Sequence, residues 1–329
     1  MKIKTYVSAI LIIGCITSFS TACTQEQVVS DTKPTQVGAG TDRVCKRLDP
    51  LCLKQLTDDP IQDGFPSWSP DGENIIFSRY GGDVAPEKTG LWLVSPEGGE
   101  PRQLTAVIGE HPDWSPDGRS IVFDGDYGNS IQLVAASGGT PTSIVPESIP
   151  VEQGGQPKWS PDSRRIAFKA GSDLWVLEVS TGRLEKLFTG DGKRPIPSCW
   201  SPDGEEIYVF LLEAATEISS IWAISTTGAG NRQVTPEQDA TYRYADLSPD
   251  GSLLAVTWCA GRDCDLWVMS PTGGKRLQIT SHPSLDDGPA WSPDGKRIAF
   301  VSTRSGTFDI WTLEVDVEGL RHELETLGP

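Results

Sequence analysis

The sequence predicts an all-β protein, a six-bladed β-propeller of four-stranded antiparallel blades. Two observations carry that expectation. The phrase Trp-Ser-Pro-Asp-Gly recurs along the 329 residues, opening at Trp68, Trp114, Trp159, Trp200, Leu247 (with Leu for Trp) and Trp291, and ending in Ser163 instead of Gly in the third copy. Successive copies start 46, 45, 41, 47 and 44 residues apart, the length of one four-stranded propeller blade. The second observation lies just downstream of each copy: short runs of β-branched and aromatic residues that read as strands buried on both faces.

The elements are taken in chain order. Residues 1–22 read as a secretory signal: Lys2 and Lys4, the apolar run Tyr6 to Ile13, then small residues. A transmembrane anchor is disfavoured, because Gly14, Thr17, Ser18 and Ser20 interrupt a stretch already short of a membrane span. Ser20-Thr21-Ala22-Cys23 resembles a bacterial lipobox, so Cys23 is the expected lipidated first residue, with Cys15 in Ile12-Ile13-Gly14-Cys15 as the alternative. Residues 23–47, rich in Thr, Gln, Asp and Gly, read as a flexible tether. The propeller is expected over residues 48–329.

Within the propeller, each Ser-Pro-Asp-Gly reads as a tight turn. Pro sets φ at the second position, Asp bonds back to the backbone, and Gly accepts φ > 0. A second strand comes next, such as Ile75-Ile76-Phe77 or Ile298-Ala299-Phe300. A third carries an indole in five blades, as in Leu91-Trp92-Leu93-Val94 and Ile310-Trp311-Thr312-Leu313. After a turn such as Gly98-Gly99, a fourth closes the unit, as in Arg102-Gln103-Leu104-Thr105 or Leu277-Gln278-Ile279-Thr280. No helical period is read in the mature chain. Ten of the 11 Trp fall at these repeated places and read as wedges between blades, leaving Trp258 outside the pattern. Leu53-Lys54-Gln55-Leu56-Thr57 matches a fourth strand but precedes the first turn, so it is expected to complete the sixth blade and remove the exposed edges. The tail Leu320-Arg321-His322-Glu323-Leu324 is the competing strand for that slot.

The repeat Pro-x-Trp-Ser-Pro-Asp-Gly-x-x-Ile-x-Phe, with its Ile/Leu-Trp strand and Gly-Gly-x-x-Arg-Gln-Leu-Thr, resembles the TolB-type β-propeller repeat over residues 53 to 329. The resemblance implies a scaffolding, protein-binding propeller of the bacterial envelope, or the non-catalytic propeller of a serine peptidase. Residues 24–52 are too few and too polar for the N-terminal α/β domain that accompanies the propeller in TolB itself.

Chemistry is sparse. The turn aspartates Asp71, Asp117, Asp162, Asp203, Asp250 and Asp294 are spread one per blade and read as structural. No G-x-S-x-G elbow, Walker, dinucleotide-binding or HExxH pattern occurs. The expected site is the channel mouth, where the residues just before each turn converge: His111, Asp113, Lys158, Arg243, Tyr244 and Asp246 are the binding candidates. Two carboxylates there are thin for calcium, which takes six or more oxygens. Asp124-Gly125-Asp126-Tyr127-Gly128-Asn129 has the flavour of a calcium loop but lacks the downstream Glu. No cofactor is therefore expected, with calcium as the candidate ion. His111, His282 and His322 are too scattered for zinc. Cys259 with Cys264, and Cys45 with Cys52, are the disulfide candidates of an oxidising compartment, and Cys199 reads as a buried free thiol.

The formal charge is −17, and −19 once residues 1–22 with Lys2 and Lys4 are removed. That excludes nucleic acid and anionic membrane surfaces, which need a basic face. The expectation is a non-catalytic, lipid-anchored monomer of the cell envelope, on the periplasmic or outer-surface side, whose propeller binds an envelope protein or peptide at the channel mouth. The alternative is a hydrolase or lyase acting on a sugar or lactone in the channel, with calcium as its candidate ion.

Overall fold

A computed structural model describes residues 48–49, 52–81, 85–151, 154–235, 241–261 and 263–327, all within one compact unit, Cys45–Pro329. The signal, Cys15, Cys23, the tether and Cys45 lie outside the described residues.

Among the described residues, twenty-four strands form six antiparallel blades. The first strand, Leu53–Gln55 (β1), stands apart from the blade that comes after it in sequence. Blade one is Gln62–Trp68 (β2), Ile75–Tyr80 (β3), Gly90–Val94 (β4) and Arg102–Thr105 (β5). Blade two is Gly109–Trp114 (β6), Ser120–Gly125 (β7), Ser130–Ala135 (β8) and Thr142–Ser143 (β9). Blade three is Lys158–Trp159 (β10), Arg165–Ala170 (β11), Asp173–Glu178 (β12) and Arg183–Thr189 (β13). Blade four is Lys193–Trp200 (β14), Glu206–Glu213 (β15), Ser219–Ser225 (β16) and Arg232–Gln233 (β17). Blade five is Thr241–Leu247 (β18), Leu254–Ala260 (β19), Asp263–Met269 (β20) and Arg276–Gln278 (β21). Blade six is Asp286–Trp291 (β22), Arg297–Ser302 (β23) and Asp309–Glu314 (β24), and β1 is its fourth strand.

That last pairing decides between the two ends of the chain. β1 runs antiparallel to β24, with Leu53 opposite Leu313 and Gln55 opposite Trp311. The tail is instead a helix, Val317–Thr326 (α1), which corrects both the competing strand and the absence of a helical period. Asp316 caps it by accepting from the Gly319 amide, and its apolar face (Val317, Leu320, Leu324) packs on the blade-six core.

The turn phrase works as a small hydrogen-bonded device. Ser69 Oγ donates to Asp71 Oδ1 at 2.5 Å and accepts from the Asn74 amide at 2.9 Å, while Asp71 Oδ1 accepts from the Glu73 amide at 3.0 Å. The same set recurs in every blade, for example at Ser292, Asp294, Lys296 and Arg297. The closing Gly72 sits at φ 73°, and Ser163 is forced to φ 59° in the third copy, where its Oγ accepts from the Asp117 amide of blade two.

Gln-Leu-Thr pins the fourth strand. The Leu266 amide donates to Thr280 Oγ1 at 2.9 Å, the Ile221 amide to Thr235 Oγ1 at 2.7 Å, and the Ile310 amide to Thr57 Oγ1 at 2.9 Å. The second strands form the core: Phe77, Phe123, Phe168 and Phe300 are fully buried at one repeated position. Each core cluster mixes neighbouring blades, as Val122 and Ile131 with Trp159, Ile166 and Phe168. Cations roof the third-strand indoles, Arg79 over Trp92 at 4.6 Å and Arg304 over Trp311 at 5.1 Å. Trp258 packs edge-on to Trp267 at 5.4 Å beneath Arg276, so it too is packing. A disulfide joins Cys259 to Cys264 across the β19–β20 hairpin. Cys52 is also disulfide-bonded. Cys199 is free and buried. Among the described residues no helix is long and apolar enough to cross a membrane.

Candidate functional site

The innermost strands share an irregularity. Pairing slips between Gly64 and Ser67 in β2, Glu110 and Asp113 in β6, Pro197 and Cys199 in β14, Arg243 and Ala245 in β18, and Asp287 and Ala290 in β22. Such a bulge frees a residue from the ladder and re-aims its side chain. The freed residues adopt left-handed backbone: Phe65 at φ 57°, His111 at 52°, Tyr244 at 34° and Gly288 at 66°, with Gln156 of blade three at 46°. Non-glycine residues there carry strain of order 1 kcal/mol or more, which clusters at functional places. In blade four the equivalent position, three residues before the Trp, is Pro197, and the residue the bulge frees is Ser198, one place further on.

Side chains freed in this way meet across the channel. The Phe65 and His111 rings lie 3.9 Å apart, and Tyr244 of blade five reaches within 6.2 Å of Phe65 and 6.3 Å of His111. Gly288, between blades five and one, contributes no side chain to obstruct that approach. On the turn side of these rings opens a cavity of about 360 Å³, lined by them, by the residues preceding each Trp, and by turn prolines such as Pro70 and Pro202.

The polar lining serves two purposes. Asp113 Oδ2 accepts from the Trp159 amide of the next blade at 2.8 Å, and Asp246 Oδ2 from the Trp291 amide at 2.7 Å, so both carboxylates stitch blades together. Lys158 Nζ lies 3.4 Å from Asp113 Oδ1. Burial opposes the Lys158 charge, but Asp113 and Asp246 outweigh it and its pKa is raised. Burial pushes Asp246 up to about 7 despite the Trp291 amide and Lys158. Burial and the neighbouring Asp246 also push the Cys199 thiol well up, which makes it a poor nucleophile.

His111 is held by Asp124, whose Oδ2 lies 2.8 Å from Nδ1. Asp124 also accepts from the Gly155 amide at 2.7 Å and the Gln156 amide at 3.1 Å. A carboxylate so engaged is an acceptor only, so Nδ1 carries a proton, and in the neutral imidazole Nε2 presents a lone pair. Nε2 is buried and has no partner among the described residues; the same holds for Ser198 Oγ, Trp114 Nε1 and Trp159 Nε1. In other blades the indole is satisfied, Trp68 Nε1 donating to the Ala290 carbonyl and Trp200 Nε1 to that of Lys158.

Five of the six channel candidates, His111, Asp113, Lys158, Tyr244 and Asp246, line this one cavity. Arg243 does not; it precedes the β18 bulge and reaches Asp287 at 3.8 Å. Phe65, Ser198 and Asp124 are site residues that the candidate set lacks. The buried pair of Asp63 and Arg79, joined by two hydrogen bonds of 2.7 and 2.8 Å, lies outside the cavity lining. Asp63 and Asp286 each stand five residues before their blade's Trp, which is the signal that could have found them. Among the described residues, no three His, Cys, Asp or Glu side chains gather as metal ligands, and Asp124 of the calcium-like loop is committed to His111 and blade three.

A TolB β-propeller domain model matches residues 200–323, blades four to six. Over those three blades the propeller is of the TolB type. A Tol-Pal system protein TolB from Anaeromyxobacter dehalogenans is 35% identical over 125 residues, 37% of this chain and 28% of that protein. The chain thus aligns with 28 to 39% of the length of the first curated relatives it matches. Among solved structures, TolB from Acinetobacter baumannii superposes with a TM-score of 0.55 at 18% identity, covering 77% of this chain and 63% of that one. Oligogalacturonate lyase from Vibrio parahaemolyticus gives 0.56 at 14% identity, covering 81% and 94%. At these identities the likeness is one of fold.

Proposed function

We propose that this TolB-type propeller is a non-catalytic, lipid-anchored scaffold of the bacterial envelope that binds a protein or peptide partner at the turn-side mouth of its channel. The observation that carries the reading is the cavity itself, rimmed by prolines and indoles and crossed at its floor by Phe65, His111 and Tyr244. Its volume of about 360 Å³ is near the small end of ligand pockets, ~300–1,000 Å³. It therefore suits a loop tip or chain terminus of a partner that otherwise rests on the rim. The test is capture of partners from envelope fractions by the mature protein. Gln156→Trp, which fills the cavity from blade three, is expected to reduce capture at least tenfold, and Arg183→Ala, exposed on the outermost strand of blade three, to leave it unchanged. Equal capture by both variants would sink the reading.

A second reading is supported by His111 Nε2, a buried lone pair fixed by Asp124 in a fold shared with a lyase. Such a group could take a proton from a bound sugar acid. Turnover of oligogalacturonate by the wild type, absent in His111→Ala, would favour it over the scaffold.

A further inference from the structure

The charges of the cavity do not balance. Among its lining residues stand two carboxylates, Asp113 and Asp246, and one cation, Lys158. Lys158 hydrogen-bonds Asp113, and Asp246 keeps the Trp291 and Leu247 amides as its own donors. Among the described residues no second cation lines the wall, since Arg243 is turned to Asp287. Two further polar atoms belong to the same lining and have no partner among the described residues. They are His111 Nε2 and the oxygen of Ser198, a residue only 6% exposed. The Phe65 and Tyr244 rings stand beside His111, and aromatic faces attract cations.

Resting on the partner-binding reading above, we propose that the cavity receives a cationic side chain of the partner, the guanidinium or ammonium tip of an Arg or Lys. It is seated by Asp246 and Asp113 and flanked by Phe65, Tyr244 and the acceptors on His111 and Ser198. In its absence Asp246 takes up a proton as pH falls through about 7, the value to which burial pushes its carboxyl, with the Trp291 amide, Lys158 and the Leu247 amide pulling it down and Asp113 adding to the rise. Cys199, the other titratable neighbour on this wall, stays a neutral thiol. The incoming cation displaces that proton, so binding is expected to tighten as pH rises.

The probe is Nα-acetyl-arginine methylamide, with the glutamine and glutamate analogues as neutral and acidic controls. The readout is indole fluorescence, because Trp68, Trp114, Trp159, Trp200 and Trp291 all line the cavity. The arginine probe should bind at least tenfold tighter than either control. Its affinity should rise about tenfold between pH 6 and pH 8, as the ionised fraction of Asp246 grows. Asp246→Asn should weaken binding about tenfold and flatten that pH dependence. Equal binding of the glutamate analogue, or a flat profile in the wild type, would overturn the assignment, and neither measurement depends on a variant folding. If the arginine probe fails while Gln156→Trp still abolishes capture, the cationic assignment alone falls. If it binds while capture ignores Gln156→Trp, the channel carries a cation site and the partner reading falls.

Discussion

Asp294 and Asp246 are both aspartates of blades five and six, yet their surroundings drive them in opposite directions. In the turn at Asp294, burial opposes ionisation, but hydrogen bonds from Ser292 Oγ and the Lys296 amide outweigh it and the pKa is lowered. The other five turn aspartates are lowered as well. A lowered folded pKa supplies stability above the unfolded value that is lost as pH falls through the folded one, so these turns weaken in acid. Asp246 works with the reverse sign. Its folded pKa of about 7 exceeds the unfolded value of ~3.9, so the folded state holds a proton that the unfolded chain has released. Between those values stability drops as pH rises, by up to ~1.4 kcal/mol per unit. Urea denaturation of wild type and Asp246→Asn at intervals from pH 4 to 7 is expected to give a less negative slope in the variant. Identical slopes would mean that Asp246 is ionised throughout.

At the scale of elements, Thr280 explains why Gln, an apolar residue and Thr recur at the end of the fourth strand. Its hydroxyl accepts from the Leu266 amide and faces Asp265 Oδ1 at 3.3 Å, binding the outermost strand to the third. Thr280→Val keeps the shape and leaves a buried amide unpaired, so it should cost ~1–3 kcal/mol in unfolding free energy; a loss below ~0.5 kcal/mol would contradict that role. This much is legible in the sequence, because turn and fourth-strand residues repeat and their hydrogen bonds are local. The bulges are not. Whether β18 slips before or after Tyr244 depends on packing against β19 and the channel rings, so nearness in sequence groups Arg243 with Asp246 when it faces Asp287. The helix α1 escapes the sequence for a related reason. Its signal, Asp316 as cap with Val317, Leu320 and Leu324 on one face, spans under three turns and becomes decisive only against blade six.

For the molecule as a whole, the count of repeats is sufficient to set the number of blades, and the matching Gln-Leu-Thr of β1 points to the closing strand. The site is legible as a ring of positions but not as a cavity, since its floor depends on three strained residues from blades one, two and five. The pairing of β1 with β24 has a consequence in time. β1 precedes every other described strand, yet its neighbour is made some 250 residues later, a long-range contact of the kind that slows folding. As the chain is synthesised or threaded through a membrane, β1 must stay unpaired until all six turns have emerged. A circular permutant carrying residues 53–57 behind β24, and opening at residue 58, should refold faster than the native order in stopped-flow fluorescence. If the two rates agree, closure is not the slow step. The first strand out is the last to find its place.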